Sequence, residues 1–395
     1  MRSTALKLSV AALLMTGAVS SVKAQSSPIN VITTAVPFLR ISPDARSGGM
    51  GDLSVATTPD ASASYFNLGK VPFNESKGGV SLTYTPWLKK VVNDVYMASA
   101  AGYYKLNDNE ALSLNLRYFN LGEIQFTDQN GNLNGTGRPN EFGAQLGYSR
   151  KLGDKTGLGV GLKYIYSNLA AGAVSGSATY KAGTGVAGDI GVYHTGQNAA
   201  GQGWAWGVSL TNLGSKIAYT NNATQKDFIP ANFAIGTTYT KVFDESNKLM
   251  FGVDLNKLLV PTPPVTTGNT SSDSAAIANY RNKSVVGSWF SSFGDAPGGF
   301  GEEIREFQVS VGAEYTYNNQ FSLRAGYFHE DETKGNRRFF TAGVGIKYNV
   351  FGLNFSYLIP ANGYTNNQNP LSNTLRFSLV FDLNGSGGST STTNQ

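Results

Sequence analysis

Ala111-Leu112-Ser113-Leu114-Asn115-Leu116-Arg117-Tyr118-Phe119-Asn120-Leu121 alternates apolar with polar side chains. Successive side chains of an extended chain point to opposite faces, so Leu112, Leu114, Leu116 and Tyr118 share one face, and Ser113, Asn115 and Arg117 the other. The same period-two pattern recurs at residues 80–85, 94–104, 141–150, 157–167, 184–194, 203–213, 231–242, 247–256, 307–318, 320–329, 339–349, 351–359 and 373–383. The pattern predicts about fourteen strands, an even number, as bacterial single-chain barrels have. Residues 106–110, 151–156, 243–246, 318–320 and 349–351 read as tight turns, with 194–202 the longest connection of that kind. Between them lie the longer connections 121–140, 168–183, 214–230, 258–306, 330–338 and 360–372. Short turns alternating with long loops predict an all-β, transmembrane antiparallel barrel over residues 78–383, with both termini in the periplasm of the outer membrane.

Composition agrees. The chain has 47 glycines, 20 tyrosines, 22 phenylalanines and only 14% charged residues. Its mean hydropathy is slightly negative, as expected when lipid-facing and lumen-facing residues alternate and cancel in any window average. A soluble sandwich or propeller would also alternate, but with a more aliphatic inner face and without alternating loop lengths. Aromatic pairs near strand ends, Tyr103-Tyr104, Tyr164 with Tyr166, Trp204 with Trp206, Tyr315 with Tyr317, and Phe339-Phe340, read as interfacial girdles.

Arg2 and Lys7 precede an apolar run, residues 8–19, too short to span a bilayer, and Val22 and Ala24 form an A-x-A-like cleavage site. Residues 1–24 are therefore expected to be a signal peptide. Removing Arg2, Lys7 and Lys23 lowers the basic residues from 31 to 28 against 26 acids, so nothing in the charge points to a nucleic-acid partner. The absence of cysteine excludes disulfides, thiol catalysis and cysteine-ligated metals.

Two stretches lie outside the strand pattern. Residues 25–77, including Arg46, Gly48, Gly49, Gly51, Asp52 and Asn67, are expected to fold into the lumen as a hatch. The Gly48-Gly49-Met50-Gly51 run reads as backbone turns and not as a phosphate cradle, since no Lys-Ser/Thr follows it. Arg46 and Asp52 are expected to pair with strand charges such as Arg117, Lys163, Glu314, Arg324 or Lys347. The second stretch, residues 258–306, has a short helix expected around 274–280 and then Trp289-Phe290-Ser291-Ser292-Phe293, exposed aromatics that suggest a contact surface. Repeated inward glycines at 159, 161, 343 and 345 leave lumenal space for a hatch or ligand. Residues 384–395 read as a disordered tail.

No catalytic, cofactor or metal site is expected. His194 and His329, the two histidines, fall at opposite barrel ends, and nothing resembles a nucleophile elbow or a two-carboxylate site. His329-Glu330-Asp331-Glu332 reads as a solvated charged loop sooner than a cation site.

Ser42-Pro43-Asp44-Ala45-Arg46-Ser47-Gly48-Gly49-Met50-Gly51-Asp52, followed by Thr58-Pro59-Asp60-Ala61-Ser62-Ala63-Ser64-Tyr65-Phe66-Asn67, resembles the PorV (LptO) family of type IX secretion outer-membrane proteins. That family is a branch of the FadL-like barrels, and the resemblance runs along the whole chain. It departs where FadL-like hatches read Asn-Pro-Ala and this chain has Asn67-Leu68-Gly69, and where a tail follows Phe381, leaving the terminal assembly signal to Phe377, Leu379 and Phe381. The resemblance implies a Bacteroidetes source, no enzymatic activity and no cofactor. It further implies as partners an SprA-type translocon barrel, the C-terminal signal domains of cargo, the PorU sortase attachment complex and outer-membrane lipid. A FadL-like transporter of hydrophobic small molecules is the alternative, and a purely structural barrel a third reading. Trp289, Phe290 and Phe293 are the expected partner contacts.

Overall fold

A computed structural model describes residues 29–87, 93–127, 130–170, 174–175, 178–221, 226–265, 267–361 and 374–383. The expected signal peptide and tail, and most of the 360–372 loop, lie outside the described residues. Fourteen strands close into one antiparallel barrel in which each pairs with its neighbours in sequence and the last pairs with the first. They are β1 (Gly78–Pro86), β2 (Val95–Lys105), β3 (Glu110–Leu121), β4 (Asn140–Lys151), β5 (Thr156–Asn168), β6 (Gly183–Thr195) and β7 (Gly203–Gly214). The second half comprises β8 (Asn232–Val242), β9 (Asn247–Leu258), β10 (Gln308–Tyr317), β11 (Phe321–His329), β12 (Arg338–Tyr348), β13 (Phe351–Pro360) and β14 (Leu375–Leu383).

In β3 the expected polar face, Ser113, Asn115 and Arg117, is buried, while Leu112, Leu114 and Tyr118 are exposed. This inversion of a soluble core marks a wall whose outer face is solvated by lipid. The β10–β11 turn needs only residues 318–320 because Asn318 and Asn319 both take positive φ, 52° and 54°, which lets the Gln320 amide reach the Tyr317 carbonyl at 3.0 Å.

Three sequence expectations are corrected. Adjacent aromatics cannot both face the bilayer, so Tyr103 and Phe339 turn inward and are buried while Tyr104 and Phe340 face out. The 121–140 loop carries a hairpin of its own, Ile124–Thr127 with Leu133–Gly137, and a two-residue pairing, Val174–Ser175 with Ala178–Thr179, sits in the 168–183 connection. The single short helix expected in 258–306 is three: α2 (Thr270–Asn282), α3 (Val285–Ser291) and α4 (Phe300–Arg305), after α1 (Ala45–Gly48) in the N-terminal segment.

That segment fills the lumen. Ala35, Val36, Phe38 and Leu39 pack with Val95, Met97, Phe119 and Ile165 of the wall, and Ala61, Ala63 and Val71 with Tyr103 and Ala111. The wall admits it because glycines face it: a Cβ on Gly312 or Gly326 would run into the Met50 backbone, and one on Gly159 into Leu68.

Candidate functional site

Two parts of the barrel carry chemistry: the hatch in the lumen and a platform at the loop end. Arg46 leaves α1 and forks onto Glu314 of β10, with Nη2 2.7 Å from Oε1, while its Nη1 reaches Asp60 at 2.8 Å and donates to the Thr58 carbonyl. Arg324 of β11 holds the other Glu314 oxygen at 2.6 Å. Asp52, at φ 64°, faces Arg376 of β14 at 3.9 Å, a partner absent from the expected set. Gly48 lies against the Arg376 side chain and Gly49 against Gly343; Gly51, at φ 67°, donates its amide to Thr341 Oγ1 at 2.8 Å. Intrasegment carbonyls take the Gly48, Gly49 and Met50 amides, which agrees with a chain of turns. Asn67 Nδ2 donates to the Val55 and Val192 carbonyls while its Oδ1 accepts from the Gly69 amide.

Sequence reasoning missed other hatch anchors. Asp254 Oδ2 accepts the Ser54 and Val55 amides at 2.6 and 2.9 Å. Lys70, buried without a carboxylate in contact, donates to the Ser54 carbonyl and Thr57 Oγ1. Tyr65 donates its hydroxyl toward the carbonyls of Ala100 and Leu116, and Arg117 donates to that of Leu39. An inward charge in β9 or β14 was a usable signal; its partner, about 200 residues away for Asp254 and Ser54, was not.

At the loop end, Asn269 caps α2 and Ser284 caps α3. Lys216 donates to the Arg281 and Lys283 carbonyls, closing the C-terminal end of α2. Buried ion pairs then clamp α4: Lys257 lies 2.6 Å from Glu303 and 2.7 Å from Glu306, and Lys334 lies 2.5 Å from Glu302 and 3.0 Å from Glu306. Glu330 is buried, not solvated as expected, because Arg337 reaches across the loop to it at 2.7 Å and Arg40 approaches at 3.7 Å. Burial alone would raise this carboxyl; the hydrogen bonds and charge of Arg337, with the charge of Arg40, outweigh it and hold the group below the usual carboxylate range.

What this frame presents is apolar. Phe290 is 76% exposed and Phe300 80%, and each has an exposed aliphatic partner one turn away, Val286 on α3 and Ile304 on α4. Phe293 is half exposed, its ring 6.0 Å from that of Phe233. Trp289 is half-buried, so of the expected trio Phe290 and Phe293 form the accessible part; Phe300 and Ile304 were missed because no aromatic cluster announces them.

His194 stacks on Trp206 at the short-turn end of β6, and His329 ends β11 at the loop end beside Arg338. Among the described residues no group of three His, Cys, Asp or Glu side chains could hold a metal ion.

The family described as type IX secretion system protein PorV matches residues 23–265, more than half of the chain. The chain belongs to the PorV family. It is thus a type IX secretion component of the outer membrane, in a family that is non-enzymatic in kind. No curated protein sequence matches it. Among solved structures, the Ralstonia pickettii toluene transporter TbuX is similar at 12% identity and a TM-score of 0.53, over 86% of this chain and 98% of that one. The Pseudomonas putida toluene transporter TodX is similar at 11% identity and a TM-score of 0.51, over 90% and 98%. At such identities the PorV-family chain shares with these transporters a FadL-like fold, and no more.

Proposed function

We propose that this PorV-family barrel carries secreted cargo along the outer membrane: its loop end faces the outside, binds the C-terminal signal domain of cargo leaving an SprA-type translocon, and passes it to the PorU-containing attachment complex. The observation that carries this reading is the clamped platform that holds Phe290 of α3 and Phe300 and Ile304 of α4 out to solvent, with Phe293, just beyond α3, half exposed beside them. Isolated apolar side chains on a surface are ordinary, but several on one ion-paired frame suit a partner that buries aromatic anchors. Both chain termini would lie in the periplasm.

Transport of hydrophobic molecules has less support. The lumenal cavity beside the hatch measures about 120 Å³ and is lined by Arg40, Asp52, Asn212, Asn232 and Asn256 among others, whereas ligand pockets are roughly 300–1,000 Å³ and mostly apolar.

The test is fractionation of a deletion strain complemented with wild type, with Phe290→Asp/Phe300→Asp, or with residues 284–299 deleted. Wild type should restore surface display and processing of a cargo bearing the signal domain. The altered barrels should reach the membrane folded yet leave uncleaved cargo in the envelope, at least tenfold down in surface display. Normal display from both would remove the platform from the pathway.

A further inference from the structure

Outside the hatch and the platform, a further concavity lies in the outer wall. Two rows of outward side chains cross the barrel side by side, each following the strand pairing. One runs Phe142, Tyr118, Ala98, Tyr84, Phe377 and Phe355. The other runs Leu116, Ala100, Leu82, Leu379, Leu353 and Ile346. Both rows are bulky except at β2, where alanine stands in each. Behind them the inward residues at β1, β2 and β14 are short, Thr83, Ser99 and Ser378, while Arg117 and Asn354 flank them; Thr83 and Ser378 hydrogen-bond to each other, and the Ala45 amide of the hatch donates to Ser378 Oγ at 2.9 Å. The hatch thus touches the wall here, and on the other side the outer face is indented by about 760 Å³.

We propose that this indentation is a binding site for the acyl chains of a phospholipid. The neighbouring medium is lipid, and the outward side chains that edge the groove, such as Leu82 at 45% and Leu353 at 59% exposed, carry no charge; Arg117, the charged residue of the lining, is buried and donates inward to the Leu39 carbonyl. Size discriminates among occupants. A second barrel would need a face of about 20–30 residues, more than these two rows supply. Flexible chains conform to a notch of this volume. The aliphatic row ends at Leu353 and Ile346, each two residues from the end of its strand at the β12–β13 turn, which places that side in the short-turn leaflet. The choice of phospholipid rests on the proposed orientation, in which that leaflet faces the periplasm.

The test is native mass spectrometry of the full-length protein, purified in dodecyl maltoside and offered palmitoyl-oleoyl phosphatidylethanolamine, for wild type and for Ala98→Leu/Ala100→Leu, which fills the notch. Wild type should retain phospholipid and the double variant at least tenfold less, with unchanged heat-modifiable gel mobility. If the double variant fails to fold, Ala100→Leu alone is read in the same way. Equal retention by folded variant and wild type, retention by neither, or a protein cross-linked across the groove overturns the proposal. Orientation is read separately, by thiol labelling of Asp154→Cys on intact cells. A groove that retains lipopolysaccharide in place of phospholipid overturns the assignment of lipid.

Discussion

Arg46 is the residue on which most hatch contacts converge, and its removal measures what they are worth. Arg46→Ala would leave Glu314 shared with Arg324 alone and Asp60 without a cation, in a site where both Arg46 and Glu314 are nearly buried. Breaking such a pair costs about 3–5 kcal/mol. The expected outcome is loss of hydrogen-exchange protection across residues 45–70 with the barrel intact. Arg46→Lys should recover only part of it, since the three donors of an ammonium cannot reproduce the guanidinium's bidentate hold on Glu314 together with its bonds to Asp60 and Thr58. Glu330 supplies a pH dependence of known sign. Its carboxyl is held low in the folded protein, so its contribution is complete above the unfolded value of about 4.3 and disappears as pH falls through the folded one. Proteolysis of the 330–338 loop should therefore accelerate on acidification below about pH 4, and Glu330→Gln should remove that dependence. In the sequence Glu330 belonged to an acidic run that looked solvated. What buries it is Arg337, seven residues on and across the loop, and spacing alone does not say that the loop folds back.

At the scale of elements, alternation located all fourteen strands because a membrane enforces it: one wrong-facing residue meets lipid or the hatch. The Ile124–Thr127 and Leu133–Gly137 hairpin escaped notice because it projects from the wall, largely exposed, and no burial imposes a period on it. The helices of residues 258–306 were only partly legible for a similar reason. α2 has no buried residue and is defined by its caps and by Lys216 more than by an apolar stripe. The platform itself depends on charge. Lys257→Met would leave Glu303 and Glu306 facing each other, with Lys334 the remaining cation of the clamp. α4 should then detach, read as faster exchange of the 300–306 amides and weaker capture of cargo, while β9 and β10 stay paired. Cargo capture at the wild-type level with α4 released would mean that the clamp serves the barrel and not the partner.

For the whole molecule, the question is whether the hatch must move. The chain has no native cysteine, so an Ala45→Cys/Ser378→Cys pair joined by a short bis-maleimide would tie hatch to wall where the Ala45 amide already meets Ser378 Oγ. A shuttle that works at its outer rim should secrete normally with the tie in place. Secretion restored only on reduction of a cleavable version would mean that opening of the lumen is part of the cycle. The barrel, its hatch and its family were legible because each rests on a pattern that is local in sequence. The partners of Asp52 and Asp254 were not, because closing a barrel brings together residues that no window contains.

The hydrogen bond between Ala45 and Ser378 joins positions 333 residues apart, and Arg376, on the same last strand, packs over Gly48. The segment made first is therefore completed by the strand made last. The N-terminal segment cannot complete its contacts with the wall until β14 is in place beside β1. Closure of the seam and the final seating of the lumenal segment are thereby coupled, because the contacts that lock one end of the chain are supplied by the other.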